Sequence, residues 1–249
     1  MRIMVTGGAG FIGANFLNLL VPRHEEHHFI NADKLTYAAN LASLAGIADK
    51  PNYTFVQLDI ADAQAVEEAF EAHTPDCVVH FAAESHVDRS IEGPRAFIES
   101  NIIGTFNLLE SARKRWGNGN GLFHHVSTDE VYGSLGDTGM FVEDTRYDPS
   151  SPYSASKAAS DHLVRAHHRT FGMAAILNQN WANCALVPHA RSPAGFLRGA
   201  PDGARTPLRT PPIGAFACFP FFFFRSTSLR DAPLSCAATA VARAKPGTH

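Results

Sequence analysis

The chain has 249 residues, 45% hydrophobic and 18% charged, which suits a globular protein of one large domain or slightly more. A net charge of −3 gives no electrostatic reason to expect nucleic acid or an anionic membrane as partner. The cysteines Cys77, Cys184, Cys218 and Cys236 lack metal-ligand spacing, and the apolar run Ile213–Phe224 is too short to span a bilayer, so neither a metal nor a membrane anchor is expected.

Arg2–Thr6 reads as a short apolar strand. With Met1 leading straight into it and no signal peptide in view, the expected location is cytoplasmic. The strand meets Thr6-Gly-Gly-Ala-Gly-Phe-Ile-Gly13, and a helix is predicted over 14–21. Strand, glycines at 7, 10 and 13, then helix is the order of a dinucleotide-binding turn. Gly7 can make the tight turn, Gly10 can let the backbone approach a pyrophosphate, and Gly13 can let helix and strand pack closely. The helix N-terminus, at Phe11, Ile12 and Gly13, offers N–H groups and a positive dipole end to phosphates.

The second strand is predicted over 28–32 and ends at Asp33, twenty residues after Gly13. A carboxylate there can hydrogen-bond ribose hydroxyls and repels a 2′-phosphate, so NAD is expected over NADP. Lys34 works against that preference, and a turn cap is the plainer reading of Asp33. A third strand, Tyr53–Leu58, ends at Asp59-Ile60. Asp59 either contacts the adenine amino group or caps a helix predicted over 63–72.

Asp76–Phe81 reads as a fourth strand, apolar enough for burial on both faces. It opens into Ala82-Ala-Glu-Ser-His-Val-Asp-Arg-Ser90, where the small Ala82–Ala83 pair would let a cofactor lie against the backbone. A long helix is predicted from Pro94 to Arg115. Asn101 falls on its sheet-facing side, and a buried Asn needs partners, so it serves as a structural tie or as a cofactor contact. Leu122–Val126 is the fifth strand, and Tyr153 opens a helix that Gly172 stops. This alternation predicts the α/β class, a doubly wound, parallel, Rossmann-like sheet. Ligands of such sheets bind beyond the carboxyl ends of the strands, where Gly7–Gly13, Asp33, Asp59, Ala82–Ser90 and Ser127–Glu130 all fall.

The fifth strand presents Ser127-Thr-Asp-Glu-Val-Tyr-Gly133, a hydroxyl, two carboxylates and a phenol on one turn. Tyr153 and Lys157 lie four apart and share a helix face. As a cation, Lys157 is expected to lower the phenol pKa. The phenolate can then take a hydroxyl proton while hydride leaves the same carbon. Alone, Asp129-Glu130 would read as a solvated turn pair; beside a Tyr–Lys pair it reads as catalytic. The thirteen histidines show no repeated metal spacing.

These stretches resemble the extended short-chain dehydrogenase/reductase family, with its Gly-x-x-Gly-x-x-Gly at Gly7, Gly10 and Gly13 and its Tyr-x-x-x-Lys at Tyr153 and Lys157. Asp33-Lys-Leu-Thr-Tyr37, Phe81–Ser90, Ser127–Gly133 and Ser151–Lys157 are similar to its nucleotide-sugar 4,6-dehydratases. The Thr-Asp-Glu run is the specific part, because epimerases and decarboxylases of the family carry other residues at 129 and 130. The resemblance implies a lyase that binds NAD through Gly7, Gly10, Phe11, Ile12, Gly13, Asp33, Lys34, Asp59, Ile60, Phe81, Ala82, Ala83, Ser85, Asn101, Tyr153 and Lys157. It implies a dTDP- or UDP-glucose substrate touched by Ser85, His86 and Thr128, and it allows a homodimer. Thr128, Asp129, Glu130, Tyr153 and Lys157 would carry the chemistry. Tyr153 would act in oxidation at carbon 4, Glu130 would remove the proton on carbon 5, and a protonated Asp129 would donate to the departing 6-hydroxyl.

The resemblance covers residues 1–172. Beyond Met173 the family's Asn-Cys-Ser-Asn-Asn-Tyr-Gly gives way to Ile176-Leu-Asn-Gln-Asn-Trp-Ala-Asn-Cys184, and the rest holds no Glu, one Lys and a Phe221–Phe224 run. Without a period of 3.6 or 2, residues 173–249 read as an irregular, frame-shift-like tail in place of a substrate domain; a divergent domain is the alternative. Such a chain either dehydrates a nucleotide sugar or holds NAD without turnover.

Overall fold

Six short strands lie parallel: β1 (Arg2–Thr6), β2 (His28–Asp33), β3 (Tyr53–Gln57), β4 (Cys77–His80), β5 (Leu122–Val126) and β6 (Ala174–Asn178). Their order is β3-β2-β1-β4-β5-β6, and a two-residue β7 (Thr239–Ala240) pairs antiparallel with β6. The computed structural model describes residues 1–117, 121–134, 141–142, 144–179 and 239–240. The strand order reverses between β1 and β4, which opens a crevice at their carboxyl ends. Thr6 is in register with both Ala32 and His80, so β1, β2 and β4 end level with one another.

The helices are α1 (Phe11–Leu20), α2 (Ala63–His73), α3 (Val87–Glu92), α4 (Pro94–Phe97), α5 (Thr105–Trp116) and α6 (Pro152–Phe171). Met4, Ile30, Val78, Phe123 and Leu177 from the sheet pack with Leu108, Leu109, Ala112 and Val164 from α5 and α6. Burial on both faces explains why β1 and β4 read as unbroken apolar runs rather than alternating ones. Cys77 is a small core residue whose thiol burial pushes up to about 12. Among the described residues no helix is long and apolar enough to cross a membrane.

Three elements differ from the sequence reading. α1 begins at Phe11, inside the glycine turn, rather than at 14. The single helix expected from Pro94 is divided by a π-helical turn, Ile98–Gly104, and preceded by the short α3. The sheet also runs one strand past Gly172, into β6. Of the expected tail, Met173, this strand, Gln179 and β7 are described, with Met173 and Leu177 in the core; the rest lies outside the described residues.

β5 buries two adjacent imidazoles, and β4 a third. The Thr105 hydroxyl donates to the Asn101 carbonyl at 2.7 Å and so accepts from His80 Nε2 at 2.9 Å, leaving His80 Nδ1 to accept from the Thr6 hydroxyl at 2.7 Å. That pattern fixes a neutral tautomer, and burial holds His80 well below its ordinary value. Burial likewise lowers His124 and His125 to about 4.

Two consequences can be measured. A Cβ on Gly13 would lie 2.3 Å from the Gly7 carbonyl oxygen, so Gly13→Ala is expected to lose ~1–3 kcal/mol in urea unfolding; an unchanged midpoint would contradict the packing. For the histidines, the unfolded chain binds protons near 6.5 and the folded chain only near 4. Stability present above pH 6.5 is therefore lost as the pH falls toward 4, by up to ~3 kcal/mol per imidazole. The urea midpoint should fall through that window, and less steeply in His124→Gln; a flat profile would mean the histidines titrate normally.

Candidate active site

The hydride-transfer candidates stand on the first two turns of α6. Pro152 occupies its first turn, and Ser151 and Ser154 form a reciprocal cap, Ser151 Oγ accepting from Ser154 N at 3.0 Å and Ser154 Oγ from Ser151 N at 2.9 Å. This rigid start sets Tyr153 and, one turn on, Lys157. The Lys157 ammonium, 4% exposed, donates to the Val126 carbonyl at the end of β5 at 2.8 Å. Burial lowers Lys157 to about 8, with Asp161 acting in the opposite direction. Tyr153 is buried and packs edge-on to Phe97, ring centroids 6.3 Å apart.

The phenol does not show the depression expected from its lysine. Burial pushes Tyr153 up to about 12; the carboxylates of Glu130, Asp129 and Asp161 push the same way, and a hydrogen bond with Thr128 pulls it down. The ammonium is engaged with a backbone carbonyl, and the charges acting on the phenol are negative.

Thr128 stands between the two candidate runs. It caps a 3₁₀ turn, Asp129–Tyr132, accepting from the Glu130 N–H at 3.2 Å, and it lies close enough to the Tyr153 phenol to pull its pKa down. Its hydroxyl lies 3.4 Å from Asp129 Oδ1. Glu130 is half-buried, and burial with the neighbouring Asp129 charge raises its carboxyl pKa, the direction that suits a general base. Gly133 ends the turn at φ +86°, where a Cβ would meet the Asp148 carbonyl oxygen at 2.6 Å.

The second group of predicted residues lines the ends of β1, β2 and β4. Gly7, at φ +71°, lies so close to β4 that a Cβ would sit 2.6 Å from the Ala82 nitrogen. Gly10 is different. Its φ of −76° suits any residue, and a Cβ there would meet only the Gly7 carbonyl oxygen, at 3.3 Å. No side chain caps α1, and Phe11 is 66% exposed with Ile12 beside it. A bare helix N-terminus beneath a glycine that the fold does not require is a cradle that a Cβ would fill.

Asp33 is buried and fastens this loop, Oδ2 accepting from Ala9 N at 2.9 Å and Oδ1 from Leu35 N at 2.8 Å. Each oxygen keeps a second lone pair. Lys34 pairs with Asp59 Oδ2 at 2.5 Å, and Asp59 Oδ1 accepts from Ala61 N at 3.0 Å; the cap of α2 is Asp62. Ile60 is in the core against Gly104, and the Phe81 ring stacks edge-on to Phe16. Ala82 and Ala83 are half-buried, while Ser85 and His86 are exposed. Asn101 is buried in the π turn. Its Oδ1 accepts from Glu84 N at 2.8 Å, and its Nδ2 donates to Glu84 O at 2.9 Å and Ser156 Oγ at 2.8 Å. Those bonds make it a tie between the loop after β4 and α6.

The sequence reading gave no role to Asp161, which acts on Lys157, or to Tyr147 and His125, which meet the Asp161 carboxylate. The signal for Asp161 was its spacing, four residues after Lys157 on the same face.

Known proteins share this fold over about three quarters of the chain. A family model described as GDP-mannose 4,6 dehydratase matches residues 4–185. The dTDP-glucose 4,6-dehydratase of Shigella flexneri is 51% identical over 200 residues, covering 74% of this chain and 54% of the relative. That of Haemophilus influenzae is 48% identical over 197 residues, covering 76% and 58%. The crystal structure of DesIV, a dTDP-glucose 4,6-dehydratase from Streptomyces venezuelae with NAD and TYD bound, superposes with a TM-score of 0.65 at 47% identity, covering 71% of this chain and 54% of that one. The UDP-glucose 4-epimerase of Thermus thermophilus in complex with NAD gives 0.64 at 30% identity, covering 72% and 54%. The chain thus spans about half the length of the curated relatives it matches. By sequence and by fold it belongs to the GDP-mannose 4,6-dehydratase family.

Proposed function

We propose that the chain carries the NAD-binding and catalytic part of a dTDP-glucose 4,6-dehydratase. The observation that carries this reading is Thr128, whose hydroxyl accepts from the Glu130 backbone and lies close enough to the Tyr153 phenol to lower its pKa, so that a hydride-transfer pair and a carboxylate pair meet at one place. The likeness to dTDP-glucose 4,6-dehydratases over residues that include both runs supports it. A cytoplasmic location and a homodimer belong to the same reading.

The residues at the crevice fit NAD. Gly10 and the first turn of α1 would hold the pyrophosphate, and the spare lone pairs of Asp33 would take the adenosine ribose. Ala82, Ala83, Tyr153 and Lys157 would flank the nicotinamide half. When bound, NAD supplies a hydride acceptor that later becomes a donor. Tyr153 takes the proton of the sugar's 4-hydroxyl, helped by the neighbouring Thr128 hydroxyl, which lowers the phenol's pKa. The 4-ketone acidifies carbon 5, and Glu130, its carboxyl pKa raised, removes that proton. Asp129, once it has taken up a proton, gives it to the 6-hydroxyl, which leaves as water. Ser85 and His86, exposed beside the crevice, would touch the substrate.

Cofactor choice is the first test. NAD is expected to bind roughly tenfold or more tightly than NADP, a difference of about 1.4 kcal/mol, and Asp33→Ala should narrow the gap. Gly10→Ser, which keeps a good cap, should abolish binding with only a small change in the urea midpoint, whereas equal binding by Gly10→Ser would remove the pyrophosphate assignment. The second test divides the chemistry. With dTDP-glucose, Tyr153→Phe should form no NADH, while Glu130→Gln should accumulate NADH absorbance and release no dehydrated sugar. A folded Glu130→Gln protein that dehydrates the sugar normally would show that another group is the base.

A further inference from the structure

We propose that Asp161 is a positioning residue of this site: it is the counter-ion that keeps Lys157 cationic beneath Tyr153, and it ties α6 to the turn that carries Asp129 and Glu130. The inference rests on reading Tyr153 and Lys157 as the hydride-transfer pair.

Asp161 has no exposed surface and lies one helical turn beyond Lys157. Its Oδ2 accepts from the Tyr147 hydroxyl at 2.9 Å and from Gln179 Nε2 at 3.1 Å, and its Oδ1 lies 3.2 Å from His125 Nε2. Donors gathered around a carboxylate favour its ionised form. Burial pushes its carboxyl up, but His125, Lys157 and Ser127 together hold it below the ordinary range.

The groups facing Lys157 come from three elements. His80 on β4 and His125 on β5 are kept neutral by burial, and Asp161 on α6 is the anion that acts on the ammonium. Around Asp161 itself stand His125, Lys157, Ser127, Tyr147 and Gln179, with Arg165 donating to the Tyr147 hydroxyl at 3.1 Å. Without the carboxylate the buried ammonium would keep the Val126 carbonyl but lose its opposing charge, and deprotonation is the response to that loss.

The mechanical half of the role runs through Gln179. Its amide donates to Asp161 and Tyr147, and its carbonyl accepts from the Tyr132 hydroxyl. Tyr132 is the last residue of the turn that begins with Asp129. One carboxylate therefore touches the helix of Tyr153 and Lys157 on one side and, through Gln179, the Asp129–Glu130 turn on the other. A carboxylate that served the fold alone would have no influence on the ionisation of Lys157.

The test is a carbon-13 NMR titration of the ε-carbon-labelled lysines in the whole 249-residue chain, which has five lysines, with the Lys157 signal assigned by its loss in Lys157→Met. The parent midpoint is expected near about 8. Asp161→Asn should lower it by roughly one pH unit or more, and Asp161→Glu should restore it. A folded Asp161→Asn protein with an unmoved Lys157 midpoint would overturn the proposal. If Asp161→Asn alone does not fold, the double variant with Lys157→Met should recover folding, because both buried charges are then gone; a double variant that also fails to fold overturns the proposal. NAD titration runs in parallel. A Lys157 shift in a protein that does not bind NAD supports the charge coupling and removes the dehydratase reading, so the two failures are distinguishable.

Discussion

Lys157 holds an ammonium out of water at the point where α6 meets the end of β5, and the surrounding structure depends on compensating that charge. Removing such an ion from water costs several kcal/mol even after relaxation, so hydrogen bonds and an opposite charge must be within reach. The Val126 carbonyl supplies one and Asp161 the other. Both need α6 to start at one fixed residue, which Pro152 and the Ser151–Ser154 cap provide. The neighbouring strands must contribute no further positive charge, and His80 and His125 remain neutral because they are buried. A shift of α6 by one residue would bury the ammonium against carbon and move Tyr153 from Thr128.

The glycine turn obeys a different constraint, one that separates fold from ligand. Gly7 and Gly13 are glycines because backbone atoms lie where a Cβ would go. Packing asks nothing comparable of Gly10, and its neighbour Phe11 faces solvent. The turn is held in place by Asp33, whose carboxylate reaches Ala9 from the end of β2. A residue expected to read a ribose is thus also a structural tie, and the two roles are compatible because a carboxylate has more lone pairs than the two N–H groups use.

The sequence was most legible where one local cause dominates. Apolar runs marked β1 and β4, which are buried on both faces, and β5 beside them, and the glycine spacing marked α1. β6, Ala-Ala-Ile-Leu-Asn, is short and borders an aperiodic region, so it carried no local signal. The π turn within the expected Pro94–Arg115 helix was hidden for another reason. It coincides with the bonds of Asn101 to Glu84 and Ser156, residues distant in sequence, and no helical periodicity encodes such partners. Asn101 was read as tie or cofactor contact, and its amide is engaged as a tie. The sign of the Tyr153 shift was misjudged because spacing shows that a lysine is near but not where its ammonium points or how deeply the phenol is buried. Asp161 was legible by position and overlooked by chemistry, since an acid in a helix is usually a solvated one.

The proposed dehydration needs two chemistries in succession on neighbouring carbons, so the groups serving them must be fixed relative to each other. α6 and the 3₁₀ turn lie 20 residues apart in sequence and belong to different elements. Two connections hold them. On the crevice side, Thr128 accepts from the Glu130 backbone and lies beside the Tyr153 phenol. Beneath, Asp161 and Gln179 reach Tyr132 at the other end of the same turn. A turn held at both ends to one helix has little freedom to rotate, which preserves the spacing between Tyr153 and Glu130. It also leaves Glu130 in a half-buried setting with Asp129 as its charged neighbour, the condition that raises its pKa toward the range of a working base. Position and basicity at Glu130 therefore share one origin, the short capped turn between β5 and Gly133.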